Sequence, residues 1–144
     1  MKITIKGRIP SKKNSRILVC TGRKFPNSFP SKAYTKWHAE AKKQIEQFIP
    51  KKPITKCKVL LLFWAPDKRK ADLTNKSESI MDLLVDLKFL EDDNWFVVND
   101  IHPIFQKIDK KNPRVEIHIM KPTMILNSNL DKSQKKKLTL KDLK

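Results

Sequence analysis

The chain of 144 residues carries 32 Lys and Arg against 15 Asp and Glu, a formal charge of +17. Its length suits one domain with a single core, and its charge points to a polyanion, whether nucleic acid, a membrane surface or an acidic protein, rather than an uncharged ligand. The longest apolar run, residues 59–65, is far short of the roughly 20 that cross a bilayer, no apolar signal region opens the chain, and Cys20 and Cys57 form no CxxC pair. A cytoplasmic protein with reduced thiols, no membrane span and no structural zinc is expected.

Residues 2–9 alternate, with Ile3, Ile5 and Ile9 on one face and Lys2, Thr4, Lys6 and Arg8 on the other, the period of a half-buried strand. Residues 11–30 are basic and turn-rich and read mainly as a surface loop, with a short strand at 17–20. Tyr34, Trp37, Ala41, Ile45 and Phe48 then recur at helical steps behind Ser31, a candidate N-cap. Residues 56–64 are too apolar to alternate and read as a central strand covered on both faces. A second helix is expected over 76–87, with Ile80, Leu83, Leu84 and Leu87 as its stripe and Asn75 and Glu78 at capping-box spacing. Residues 95–98 and 101–108 read as extended and 114–120 as a strand with Val115, Ile117 and Ile119 inward, so a terminal hairpin is expected. The order implies an α/β (α+β) fold, a single small domain over 1–122 with a mixed four- to five-stranded sheet and two helices. Residues 123–144 form a basic tail.

Nine of the fifteen acids lie within 67–100, a window of net charge −4 in a chain whose remainder carries +21. Carboxylates gathered inside a phosphate-binding protein repel the same backbone unless a divalent cation lies between them. Asp72, between a strand and a helix start, and Asp92 and Asp93, in the turn after that helix, are the best-placed candidates, although 91–93 also reads as an ordinary polar turn. Sequence spacing alone does not bring the two ends of the helix together. Lys12, Lys13 and Arg16 follow the first strand and Lys68, Arg69 and Lys70 precede Asp72, so cations flank a candidate ligand, which suits phosphodiester chemistry. Trp95 reads as core, with base stacking as the alternative. Pro66-Asp67 with Asp86-Leu87-Lys88 imitates a common nuclease pattern, but its second element falls on a helix rather than a strand.

The run Pro66-Asp67-Lys68-Arg69-Lys70-Ala71-Asp72-Leu73-Thr74-Asn75, continuing through Asp82-Leu83-Leu84 to Glu91-Asp92-Asp93, resembles the RusA family of Holliday-junction resolvases, as does Pro10-Ser11-Lys12-Lys13-Asn14 with Arg16. The resemblance implies a small homodimer that binds four-way DNA junctions and makes paired nicks with Mg²⁺ or Mn²⁺, in DNA recombination and repair. It assigns the family's first essential aspartate to Asp72 and that of the closing pair to Asp93, with Asp92 beside it. DNA contacts are expected from Lys12, Lys13, Asn14, Arg16, Lys68, Arg69, Lys70 and Lys76. Two positions depart: the usual second aspartate is Thr74, and the essential lysine falls at Glu78, with Lys76 two residues away as a substitute. The alternative reading is a DNA-binding protein whose metal site has eroded, and a weaker third is a basic RNA-binding protein.

Overall fold

A computed structural model describes residues 1–12, 16–19 and 27–122. Lys13, Asn14, Cys20 and the tail 123–144 therefore lie outside the described residues. The chain opens with β1 (Lys2–Lys6), whose Ile3 and Ile5 are buried as the alternation requires. Strands β2 (Arg16–Val19) and β3 (Asn27–Pro30) pair antiparallel as a separate two-stranded sheet. The expected loop thus holds a hairpin, which its turn-forming composition concealed.

Helix α1 (Lys32–Ile45) begins at Ser31, whose Oγ accepts the Tyr34 N–H at 3.1 Å. Tyr34, Trp37, Ala41 and Ile45 form its buried stripe, and Lys42 and Lys43 lie in the last turn, where the helix dipole favours cations. A 3₁₀ turn (Glu46–Phe48) follows and leaves Phe48 exposed rather than on the stripe. β4 (Cys57–Ala65) is central, but Val59, Leu61 and Phe63 are buried while Leu60, Leu62 and Trp64 are only partly covered. One face of β4 meets the core; the other is not closed over by a helix.

Helix α2 (Leu73–Asp86) starts three residues earlier than expected, because the N-cap is Asp72 and not Asn75. Its Ile80, Leu83 and Leu84 are fully buried, each adding about 1.5–3 kcal/mol by leaving water. The buried hydroxyls of Ser77 and Ser79 donate to the carbonyls of Leu73 and Asn75 one turn back, so neither is orphaned. The helix closes at Lys88, which takes φ 62°, with the Phe89 N–H returning to the Leu84 carbonyl at 2.9 Å.

Residues 95–97 are turn rather than strand, and β5 runs Val98–Ile108, followed by β6 (Arg114–Met120) with Val115, Ile117 and Ile119 buried. The main sheet is four-stranded, in the order β1-β6-β4-β5. The expected β5–β6 hairpin does not form. β6 instead inserts between β1 and β4, antiparallel to both, and β5 lies parallel to β4 at the edge. The β4-α2-β5 segment is a parallel crossover, which needs the helix to carry the chain back to the start of the sheet. Both helices contribute to one core with the inward residues of β1, β4 and β6.

The opposite face is amphipathic. Lys2 pairs with Glu116 at 2.9 Å, and Arg114 stacks 3.8 Å from the Trp64 ring while pairing with Glu116 at 3.1 Å and Asp109 at 3.3 Å. Among the described residues no helix is long and apolar enough to cross a membrane.

Candidate active site

Asp72 sits where β4 has ended and α2 begins. Its Oδ1 accepts the Thr74 N–H at 2.8 Å and the Asn75 N–H at 3.3 Å, and its Oδ2 accepts from Asn75 Nδ2 at 3.0 Å. The carboxylate thus satisfies two N–H groups that the first helical turn leaves open, and its charge complements the helix dipole. The Asp72 side chain is exposed, and a carboxylate has about four lone-pair sites, so further coordination remains available.

Asp92 and Asp93 occupy the turn after α2. Asp92 accepts the Asp93 N–H at 2.7 Å and Asn94 Nδ2 at 2.6 Å, bonds that hold its carboxyl below the ordinary carboxylate range. Asp93 goes the other way: partial burial and the neighbouring charge of Asp92, with that of Asp82 behind it, raise its pKa. The two adjacent carboxylates are thus shifted in opposite directions.

The fold sets these two places at opposite ends of the molecule. α2 has 14 residues, a rise of about 21 Å, and runs from the end of β4 back to its start. There Leu90 bridges to Ile54, and the Cys57 N–H meets the Val97 carbonyl at 2.7 Å, so Asp92 and Asp93 lie beside the start of β4 while Asp72 lies beyond its end. Among the described residues, no three His, Cys, Asp or Glu side chains are arranged to hold a metal ion. The hard oxygen donors suit Mg²⁺ or Mn²⁺, but one chain does not bring Asp72 and Asp93 together.

The basic residues divide in the same way. Lys68 and Lys70 are exposed near Asp72. Arg69 is held against Asp67, Nη2 to Oδ2 at 2.8 Å and Nε to Oδ2 at 3.0 Å, and Arg8 Nη1 reaches the same oxygen at 3.2 Å. Lys76 turns inward, donating to the Ile9 carbonyl, and burial lowers its pKa. Lys12 is tied to α2: its N–H donates to Ser79 Oγ at 3.0 Å, its Nζ to Asp82 Oδ2 at 2.7 Å, and the ammonium lies 5.6 Å from the Tyr34 ring. Arg16 opens β2.

A groove of about 290 Å³ lies next to Asp72, at the far end of β4 and β5. Phe63, Trp64, Ala65, Phe105 and Ile108 make it apolar, and five cations, Arg8, Lys68, Arg69, Lys70 and Lys76, line it against a single carboxylate, Asp67. At the other end Trp95 and Phe96 are 78% and 77% exposed, their rings 6.0 Å apart edge to face. Reading Trp95 as core is thus corrected: its neighbours Val97 and Val98 enter the core, but the turn at 95–97 directs the two aromatic rings outward.

The roles of Asp82, Arg8 and Asp67 were not evident from spacing. Asp67 is held at a pKa of about 2, below its ordinary 3.8, chiefly by hydrogen bonds from Arg69. A depressed carboxylate contributes stability above its unfolded pKa and loses it as pH falls through the folded value. The melting temperature of the Asp67→Asn variant is therefore expected to trail that of the unsubstituted chain at pH 6, with the gap closing between pH 4 and pH 2. Thermal melts followed by circular dichroism across that range measure it.

Two comparisons bear on this arrangement. A family model described as Endodeoxyribonuclease RusA matches residues 8–120, well over half the chain. No curated protein matches it.

Proposed function

Because the chain belongs to the RusA endodeoxyribonuclease family, we propose that it is a divalent-metal-dependent nuclease that resolves four-way DNA junctions as a two-fold dimer. In this reading Asp72 of one protomer and Asp93 of its partner, with Asp92 beside it, complete each active site. The carrying observation is the separation of the two carboxylate positions to opposite ends of α2. A two-fold axis that sets two β5 strands antiparallel brings the Asp93 end of each chain to the Asp72 end of the other. That arrangement closes after two copies and yields two equivalent sites, the number needed for paired nicks.

When bound, Mg²⁺ or Mn²⁺ would polarise a phosphoryl oxygen and supply an activated water at neutral pH. The protein contributes position and charge. Asp72 is oriented by the first turn of α2, so its free lone pairs have a fixed direction. Partial burial, with the neighbouring charge of Asp92 behind it, raises the pKa of Asp93, and a bound dication would favour its ionised form. Exposed Lys68 and Lys70 neutralise backbone phosphates beside Asp72, which fixes register without reading sequence. Thr74 cannot offer the carboxylate usual in the family, and the partner's Asp92, beside the Asp93 that matches the family's closing aspartate, supplies a negative oxygen instead.

The test uses synthetic four-way junctions and linear duplexes of equal length, with Mg²⁺, Mn²⁺ or EDTA. Paired nicks in the junction with either metal and none with EDTA are expected, with binding that weakens steeply as salt rises. Tight junction binding with neither metal supporting nicks overturns the catalytic reading in favour of a binding protein with an eroded site. Equal affinity for linear duplex removes the junction preference.

A further inference from the structure

We infer that Lys12 and Lys76 serve the DNA-binding surface as positioning residues rather than as phosphate ligands: with Ser79 and Asp82 they stitch residues 9–12 along α2 and so fix where the basic segment after β1 begins. The inference deepens the reading above and rests on its DNA-binding part alone.

The chain leaves the main sheet at Gly7, whose φ of 101° favours glycine and whose N–H donates to the Pro113 carbonyl at 2.8 Å. It then crosses onto α2. Ile9 buries its side chain, and its carbonyl accepts from Lys76 Nζ. Three residues on, the Lys12 N–H donates to Ser79 Oγ at 3.0 Å and its Nζ to Asp82 Oδ2 at 2.7 Å. The Ser79 hydroxyl is itself fixed, because it donates to the Asn75 carbonyl at 3.2 Å. Positions 76, 79 and 82 follow at steps of three and share one face of the helix, and six residues of helix rise about 9 Å. Three residues of extended chain span about 10 Å. The two lengths match, so residues 9–12 run alongside α2 from the Asp72 end towards the Asp93 end.

Neither ammonium is placed to meet a phosphate. The Lys12 side chain is 28% exposed, carries Asp82 as its counter-ion and lies 5.6 Å from the Tyr34 ring, so its charge is already answered. Lys76 is half-buried, and its charge-assisted bond to the Ile9 carbonyl is lost if it turns outward. Lys68 and Lys70, by contrast, are exposed. Lys13, Asn14 and Arg16, three expected DNA contacts, follow Lys12 directly in the sequence. A carboxylate on a cationic surface weakens binding to a polyanion by its charge alone, yet Asp82 should strengthen it here by holding Lys12.

Junction affinity in EDTA over a salt series tests this with two variants, Asp82→Asn and the exchanged pair Lys12→Asp/Asp82→Lys, beside thermal melts and single-turnover nicking. Asp82 is 32% exposed, so the fold should survive. Asp82→Asn removes a negative charge and frees a lysine, so a phosphate-binding Lys12 predicts equal or tighter binding. A positioning Lys12 predicts the opposite. The expected result is about tenfold weaker binding, with a salt slope flattened by about two as the contacts of Lys13 and Arg16 are lost, and a nicking rate at saturating protein within about twofold of the unsubstituted chain. The exchanged pair should restore affinity to within about threefold, although it sets an acid where the chain had a lysine. Asp82→Asn binding as tightly as the unsubstituted chain, or an exchanged pair weaker than Asp82→Asn, overturns the inference. So does a lowered melting temperature with unchanged affinity, because the stitches then serve the fold alone. If the affinities follow the expected order but the unsubstituted protein nicks with neither metal, the nuclease reading falls and the inference stands. If it nicks while Asp82→Asn binds unaltered, the reverse holds.

Discussion

Asp72→Asn is expected to lower the rate of junction nicking by about 10³-fold, the factor that follows from losing roughly 4 kcal/mol of metal-dependent charge stabilisation. Junction affinity in EDTA should change less than about threefold. Asn replaces Asp well at a helix N-cap, so the bonds to the Thr74 and Asn75 N–H groups persist and the melting temperature should hold nearly constant. The substitution therefore separates the two tasks of this carboxylate: its structural role survives in the amide, whereas the negative charge that holds a dication does not. Single-turnover nicking assays beside gel-shift titrations read both. A variant that nicks at more than a tenth of the unsubstituted rate removes Asp72 from the active site.

The elements with strict periodicity were legible in the sequence because they obey local rules. Ile3 and Ile5, Val115, Ile117 and Ile119, and the Tyr34–Trp37–Ala41–Ile45 stripe all face the core as their spacing requires. Strand partnership was not, because it is decided by long-range packing. Residues 101–108 and 114–120 are close in sequence and read as a hairpin, yet β6 pairs with β1 and β4, and β5 takes the edge. The start of α2 was missed because Leu73 and Thr74 extend the helix beyond its apolar stripe and Asn75 mimics a cap.

The candidate site was legible as residue types, not as geometry. Asp72, Asp92 and Asp93 stood out as carboxylates in a cationic chain, but their spacing could not say which ends of the strands they occupy. That depends on β5 lying parallel to β4, with Val98 opposite Cys57, which returns the chain to the start of β4 after α2. The same ordering separates the acidic, aromatic turn from the basic groove. In the proposed dimer one symmetry operation rejoins the split carboxylate pair and covers the apolar edge strand between its two halves.

That shared requirement gives the second large effect. Asp72→Asn and Asp93→Asn, each inactive alone, should recover activity when mixed under conditions that let subunits exchange. Random exchange between equal amounts makes half of the dimers mixed. In each mixed dimer one site carries both substitutions, while the other pairs an intact Asp72 with the partner's intact Asp93. About a quarter of the normal number of active sites should therefore reappear, a consequence of two-fold symmetry alone. Because only one site per mixed dimer is intact, these dimers should nick one strand of the junction and accumulate nicked four-way species without releasing paired linear products. If Asp72 and Asp93 served the same site within one chain, every chain in the mixture would carry a broken site and nothing would be recovered. Denaturing gels that resolve the nicked strand, run beside native gels that resolve the products, distinguish the two outcomes.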